Sequence, residues 1–215
     1  MRTMIVAGID EAGRGPVIGS MFVALVAIEQ DQLEKLVSLG LKESKMLTPN
    51  KRRYFYNLIM KTAKLVLIKE VKAEEIDKRN LSELTIEVMK ELLETALNKV
   101  KIDVVCVDIV GNGAKQRRAL GEVFPDVIVM KKGDASCPAA AAASIVAKEA
   151  RERHVSQLRA RYGDFGSGYP SDPKTLRWLS VTRPLPPIVR KKWKTIRRKG
   201  MGVGGEGERK HDNSA

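Results

Sequence analysis

The sequence predicts an α/β fold, and three observations carry that prediction. Apolar, β-branched runs of strand length recur at residues 5–9, 21–28, 65–68, 104–108 and 127–130. The longer stretches between the later runs carry apolar residues at helical spacing. A strong helical pattern over 81–96 separates two of the runs, and strand, helix, strand in that order suggests a parallel crossover.

The first run ends in Asp10-Glu11-Ala12-Gly13-Arg14-Gly15-Pro16. Adjacent carboxylates repel a phosphate unless a divalent cation lies between, so the segment reads as half of a metal site beside a phosphodiester-binding loop. The plainer alternative is a strand running into a polar, Gly-rich turn. Gly13-x-Gly15-x-x-x-Gly19 loosely resembles a dinucleotide fingerprint. That motif needs a helix to open at the glycines, whereas 21–28 is apolar throughout and reads as a second strand.

Residues 31–39 then read as a short helix and 40–49 as a loop. Thr48 caps a helix that has Pro49 at its first position and runs to about Lys61. After the third strand, Asn80 caps the long helix, with Glu83 three residues on and Leu81, Leu84, Val88, Leu92 and Ala96 along one face. Asn112-Gly113 opens a polar turn and a further helix ahead of the fifth strand. Pro138 fits the first position of an alanine-rich helix reaching about Arg161, with Asp134 just before it, where the helix dipole favours an ionised carboxylate. A loop over 164–173 precedes a short helix containing Trp178. Beyond Pro184, Pro186 and Pro187, the spacing of Val189, Trp193 and Ile196 predicts an amphipathic basic helix. Residues 200–215 are Gly-rich and polar, and disorder is expected there.

Composition narrows the partners. At 43% hydrophobic and 30% charged, the 215-residue chain can bury an ordinary core. Its formal net charge of +13 points to a polyanion, and residues 183–199 hold eight basic residues and no acid. No apolar run reaches membrane-spanning length. Cys106 and Cys137 form no CxxC, and Cys106, inside an apolar strand, reads as a small buried hydrophobe; a reducing cytoplasm follows. His154 and His211 are isolated, which leaves zinc and Ser-His-Asp chemistry without support.

In an open α/β sheet, ligands gather beyond the carboxyl ends of the strands. Asp108 closes its strand as Asp10 and Glu11 close theirs, and Asp134 follows the last strand, so four carboxylates from three segments can converge. Consecutive strand residues face opposite ways, so Asp10 and Glu11 share a site only if the strand ends or bulges there. Each acid alone reads equally as a helix cap or a loop residue; the set carries the argument.

Gly8-Ile9-Asp10-Glu11-Ala12-Gly13-Arg14-Gly15-Pro16, the Glu43-Ser44-Lys45 loop, Val107-Asp108, Gly133-Asp134 ahead of Ala143-Ser144-Ile145-Val146-Ala147-Lys148, and Gly168-Tyr169-Pro170-Ser171-Asp172 occur in the order seen in type 2 ribonucleases H. Over roughly residues 1–200 the sequence closely resembles the ribonuclease HII family. The family more often has Asp-Ser-Lys at 43–45 and Ala at 133. The resemblance implies a ribonuclease H-like fold, a five-stranded mixed sheet flanked by helices with a helical C-terminal extension. It divides the chain into a catalytic domain over 1–165, a basic extension over 166–199 and a tail over 200–215.

It further implies Asp10, Glu11, Asp108 and Asp134 as metal-binding catalytic acids using Mg2+ or Mn2+, whose preference for oxygen ligands they suit. Gly13, Arg14, Gly15 and Tyr169 would recognise a ribonucleotide 2′-hydroxyl at an RNA–DNA junction, and Lys45, with Lys42 and Ser44, would hold backbone phosphates. The implied activity is hydrolysis of RNA in RNA–DNA hybrids and of ribonucleotides embedded in DNA, during replication and ribonucleotide excision, by a cytoplasmic monomer. The tail has no Gln-x-x-aliphatic-x-x-aromatic-aromatic peptide of the kind that docks on sliding clamps. Two rivals are a non-catalytic nucleic-acid-binding module, which the net charge alone would support, and a type 3 ribonuclease H, which usually carries an extra N-terminal domain.

Overall fold

A computed structural model describes residues 3–131 and 137–198. Asp134, Lys199 and the tail over 200–215 lie outside the described residues. Five strands form one sheet: β1 Ile5–Ala12, β2 Met21–Glu29, β3 Leu65–Val71, β4 Val104–Asp108 and β5 Ile128–Met130, in the spatial order β3-β2-β1-β4-β5. β1, β2 and β3 pair antiparallel, whereas β4 pairs parallel with both β1 and β5. The sheet is therefore mixed. The expected crossover runs from β3 to β4, which settles beside β1 with two strands, β2 and β1, lying between.

Alternation along the central strands explains the layers. Ala7, Ile9, Val105 and Val107 pack on one face against Leu84, Val88, Met89 and Leu92 of α4 (Leu81–Leu97). Val6, Ala24, Val26 and Cys106 face the other way, against α2 (Pro49–Thr62, after α1, Gln30–Ser38) and α6 (Pro138–Tyr162). Strands buried on both faces need apolar residues at every position, which is why β2 reads as an unbroken hydrophobic run. Local capping works as the sequence indicates. Asn80 accepts from the N–H groups of Ser82 and Glu83, and Asn112 from those of Ala114 and Lys115 at the start of α5 (Gly113–Gly121). The Glu83 carboxylate does not complete a capping box; it accepts from Lys115 Nζ.

Three features differ from the sequence reading. A short helix, α3 (Ala73–Lys78), lies ahead of α4. The basic segment is helical only over α8 (Lys194–Arg198), downstream of α7 (Pro173–Val181). Val189 instead bridges Ile18, and Arg190 is fully buried, so the pattern at Val189, Trp193 and Ile196 marks a segment pinned to the core rather than one helix. Finally, Cys106 and Cys137 are joined as a disulfide with their Cα atoms 6.4 Å apart. Sequence distance hid the pairing, because the start of α6 descends onto the face of β4 that carries Cys106. Both residues are buried.

The descent of α6 depends on Gly8. A Cβ built there would lie 2.0 Å from the Ala139 carbonyl carbon and 2.2 Å from Ala140 N, so main chain of α6 occupies the place of a side chain on β1. Alanines 139, 142, 143 and 147 keep the rest of that helix face thin. Because backbone cannot swing aside, Gly8→Ala should destabilise by about 3 kcal/mol, lowering the melting temperature by roughly 6–12 °C for a chain of this size. A thermal melt within two degrees or so of the parent would show that the contact has slack.

Candidate active site

The parallel register sets Ile9 beside Val107, and one step further along each strand brings Asp10 level with Asp108. Both belong to the α6 face, and both are buried, at 4% and 6% exposure. They line a cavity of about 570 Å³ together with Lys42, Lys45 and Lys131 and with Pro138 at the start of α6. Glu11 is also buried but does not line it. β1 stays paired with β2 through Ala12 without a bulge, so Glu11 projects to the opposite face from Asp10. Its Oε1 lies 3.8 Å from Arg14 Nε. On the β4 side the strand pairing runs from Val6 to Ile9. The structure therefore brings Asp10 and Asp108 to one wall and Glu11 to the same sheet end from the other face. Asp134 lies outside the described residues.

The loop after β1 is held from beneath by two buried arginines. Arg151 of α6 donates to the carbonyls of Ser20 (3.0 Å) and Ile18 (3.3 Å). Arg190 donates through Nε to Gly19 O (2.9 Å), through Nη1 to Arg14 O (2.9 Å) and through Nη2 to Gly13 O (2.6 Å). Burial lowers the pKa of both guanidiniums, that of Arg190 to about 9, which still leaves Arg190 charged at neutral pH. Gly13, at φ +94°, passes so close to Arg151 that a Cβ would meet its Cδ at 2.7 Å. The Arg14 side chain turns away to α4, donating to Thr85 Oγ1 (2.9 Å) and Ser82 Oγ (3.1 Å). What Gly13-Arg14-Gly15 can offer a ligand is therefore main chain.

Tyr169 stands beside this loop. A Cβ at Gly15 would touch its ring at 3.3 Å, and Gly168 O accepts from the N–H groups of Val17 and Ile18. Tyr169 remains 37% exposed, enough to meet a ligand. Lys42 and Lys45 reach the cavity with the two aspartates, Lys45 while paired with Glu43 at 2.8 Å. Ser44 shares a hydrogen bond of 2.8 Å with Ser144 of α6, which fixes the lysine loop to the helix.

This donor set is all oxygen: carboxylates at one sheet end, with both cysteines committed to a disulfide. Carboxylates buried together repel one another, and a hard divalent cation such as Mg2+ or Mn2+ is the counter-charge they suit. Among the described residues no group of three or more such ligands is assembled. The fit rests on Asp10 and Asp108, with Glu11 at the same sheet end on the other face.

The family model described as Ribonuclease HII matches residues 7–196, a span that holds every feature above. This chain belongs to the ribonuclease HII family. Ribonuclease HII of Sulfurisphaera tokodaii is 41% identical over 197 residues, covering 90% of this chain and 94% of that protein. Among solved structures, ribonuclease H2 from Pyrococcus horikoshii superposes with a TM-score of 0.81 at 36% identity, over 93% of this chain and 97% of the other. Ribonuclease HII of Archaeoglobus fulgidus, solved in a complex with PCNA, gives 0.77 at 36% identity, over 89% and 96%. The ribonuclease H-like fold expected from the sequence thus stands, and with it a nuclease that hydrolyses phosphodiester bonds.

Two features were not expected from the sequence: Lys131, which lines the cavity, and the inward role of Arg151 and Arg190. A lysine directly after β5 was the available signal for the first; the arginines carried none, since their partners are distant carbonyls. A further support is Asp172, whose carboxylate accepts from Ser167 N (2.7 Å) and Lys174 N (2.9 Å), capping α7 and closing the turn that carries Tyr169. The Ser167 hydrogen bonds, foremost, lower its pKa from 3.8 to about 2. A depressed carboxylate stabilises the fold above its unfolded pKa and loses that contribution as pH falls through the folded one. The parent melting temperature should therefore exceed that of Asp172→Ala above about pH 4 and converge on it towards pH 2. Parallel curves across that range would remove Asp172 from the turn.

Proposed function

We propose that this chain is an endonuclease that hydrolyses the RNA strand of RNA–DNA hybrids and cuts on the 5′ side of ribonucleotides embedded in duplex DNA, leaving 3′-hydroxyl and 5′-phosphate ends. One observation carries the reading. Asp10 and Asp108 share a cavity wall at the end of β1, and the same strand runs directly into the main-chain loop flanked by Tyr169. In this reading, acid chemistry and sugar sensing share one short stretch of chain. Asp10, Glu11, Asp108 and Asp134 are proposed as the catalytic, metal-binding acids. Bound Mg2+ or Mn2+ would supply an acidified water and a counter-charge for the phosphodiester.

The chain's own residues do the rest. The Gly13-Arg14-Gly15 main chain and the Tyr169 ring receive the sugar, while Lys42 and Lys45, with Lys131, meet phosphates as point charges. Ser44 acts through its bond to Ser144 by keeping that lysine loop in place. A pure binding module gains nothing from burying carboxylates where phosphate must approach, which disfavours the non-catalytic rival.

Residues 1–165 form the proposed catalytic domain and 166–199 its extension, joined by a third apolar cluster of Val17, Ile18, Val155, Phe165, Leu179, Val189 and Ile196. The proposed setting is cytoplasmic, in ribonucleotide excision and DNA replication, with the chain acting as a monomer. The Archaeoglobus relative is seen with PCNA; residues 200–215 here hold no clamp-docking peptide of the known pattern.

Mapping products from a duplex with one embedded ribonucleotide, with and without Mg2+, tests the reading. Cleavage should fall 5′ of the ribonucleotide, require the metal, and vanish in Asp10→Asn and Asp108→Asn, which remove a ligand oxygen while keeping shape and duplex binding. Near-parental cleavage in either variant, or in chelator, would overturn it. Tyr169→Ala should cost more activity on this substrate than Tyr169→Phe, because packing goes along with the hydroxyl. Equal rates in all three proteins would take Tyr169 out of the site.

A further inference from the structure

The three carbonyls of Gly13-Arg14-Gly15 all accept hydrogen bonds from the C-terminal extension: Gly13 O and Arg14 O from Arg190, and Gly15 O from Trp193 Nε1 at 3.2 Å. Arg190 stacks on Trp193 with 5.0 Å to the ring centroid and is itself fixed by main-chain bonds from its N–H to Val17 O (2.9 Å) and from Gly19 N to Ile188 O (2.8 Å). Asp77 of α3 accepts from Lys191 N (2.6 Å) and Lys192 N (3.1 Å), which locks the following turn.

Peptide planarity gives this clamp a consequence. In a trans peptide the carbonyl and the next N–H point in opposite directions. Tying Gly13 O and Arg14 O down to Arg190 therefore turns the N–H groups of Arg14 and Gly15 away from it, as a pair of parallel donors. Neither N–H is spent on the β1–β2 ladder, whose pairing ends at Ala12 and Phe22. The next residue is Pro16, which has no N–H, so the pair ends there.

We propose that Arg190, assisted by Trp193, is a positioning residue for ribonucleotide discrimination: it orients the Arg14 and Gly15 N–H groups towards the oxygen of a sugar 2′-hydroxyl without touching nucleic acid itself. The proposal rests on the function argued above and deepens it. It also reassigns a charge, because Arg190 sits among the eight basic residues that point to a polyanionic partner, yet its guanidinium is spent on three hydrogen bonds and a stacking contact inside the protein. An ammonium cannot replace it, since a single point donor cannot serve three carbonyls spread around a planar fork.

Dissociation constants measured in an Asp10→Asn background, for a duplex with one ribonucleotide and for the all-DNA duplex of identical sequence, test the proposal. The Asp10→Asn protein should bind the ribonucleotide duplex more tightly, and adding Arg190→Lys should cut that preference by about tenfold, as expected for misaligned donors. Affinity for all-DNA duplex should stay unchanged, because phosphate contacts carry it. Trp193→Phe keeps the apolar contact and loses only the bond to Gly15 O; it should reduce the preference about threefold and serves should Arg190→Lys fail to fold, as judged by a circular-dichroism melt. A merely structural role would weaken both duplexes equally or neither, and a preference retained in a folded variant overturns the proposal. No preference in the Asp10→Asn protein itself would instead overturn the functional reading beneath it.

Discussion

Close passage of α6 over Gly8 is the constraint on which the rest of the structure depends. Main chain meets main chain there, with no side chain between, so the helix has one height above the sheet. Everything α6 carries is set from that contact. Near its start Pro138 helps to wall the cavity and Cys137 is bonded to β4; a turn or two on, Ser144 holds the lysine loop, and Glu149 accepts from the buried Arg52 Nε at 2.7 Å. Further along, Arg151 takes the carbonyls of the loop after β1, and Val155 enters the cluster that receives the extension. A shift of the helix would move all these partners at once, whereas replacing any one of them would disturb a single contact.

Charge is handled differently on the two sides of the site. Arg52 is buried against Glu149, the pairing that burial of a charge ordinarily demands. Arg151 and Arg190 instead donate to carbonyl oxygens, which satisfy guanidinium N–H groups without a directly bonded carboxylate, Glu152 and Asp77 acting on them only through their nearby charge. Their positive charge lies under a loop proposed to receive a phosphorylated sugar, opposite in sign to the carboxylates at the end of β1. An anionic substrate drawn to the loop would meet those carboxylates through a cation, not directly.

Much of the fold was legible because its signals are local. Asp10 and Asp108 each close an apolar run, so their strand-end positions, and then the shared wall, follow from pattern and register. Thr48, Asn80 and Asn112 cap helices where they were expected to, through bonds no more than a few residues long. What escaped was set by partners far off in sequence. Arg190 and Gly13 are 177 residues apart, and nothing near Arg190 distinguishes it from the lysines that follow. Cys106 met Cys137 because a helix landed on a strand, and the glycine that lets it land sits in a motif otherwise read for its acids. α3 spans only six residues, too few for periodicity to register.

The extension nevertheless divides its charge in a way that joins recruitment to recognition. Lys191, Lys192, Lys194 and Arg197 are exposed, while Arg190, next to them in the chain, is fully buried. Outward lysines can gain only the diffuse, salt-screened attraction that any duplex offers. The inward arginine touches no phosphate: its fork is bonded to three carbonyls, and its proposed role is to fix peptide planes that bear on a single hydroxyl. Both depend on the turn that Asp77 holds through the Lys191 and Lys192 N–H groups. In the proposed reading, one short segment thus supplies affinity that is blind to the sugar and, from the neighbouring residue, geometry that is not. Because the two arise from different atoms facing opposite ways, selection can strengthen binding without loosening discrimination.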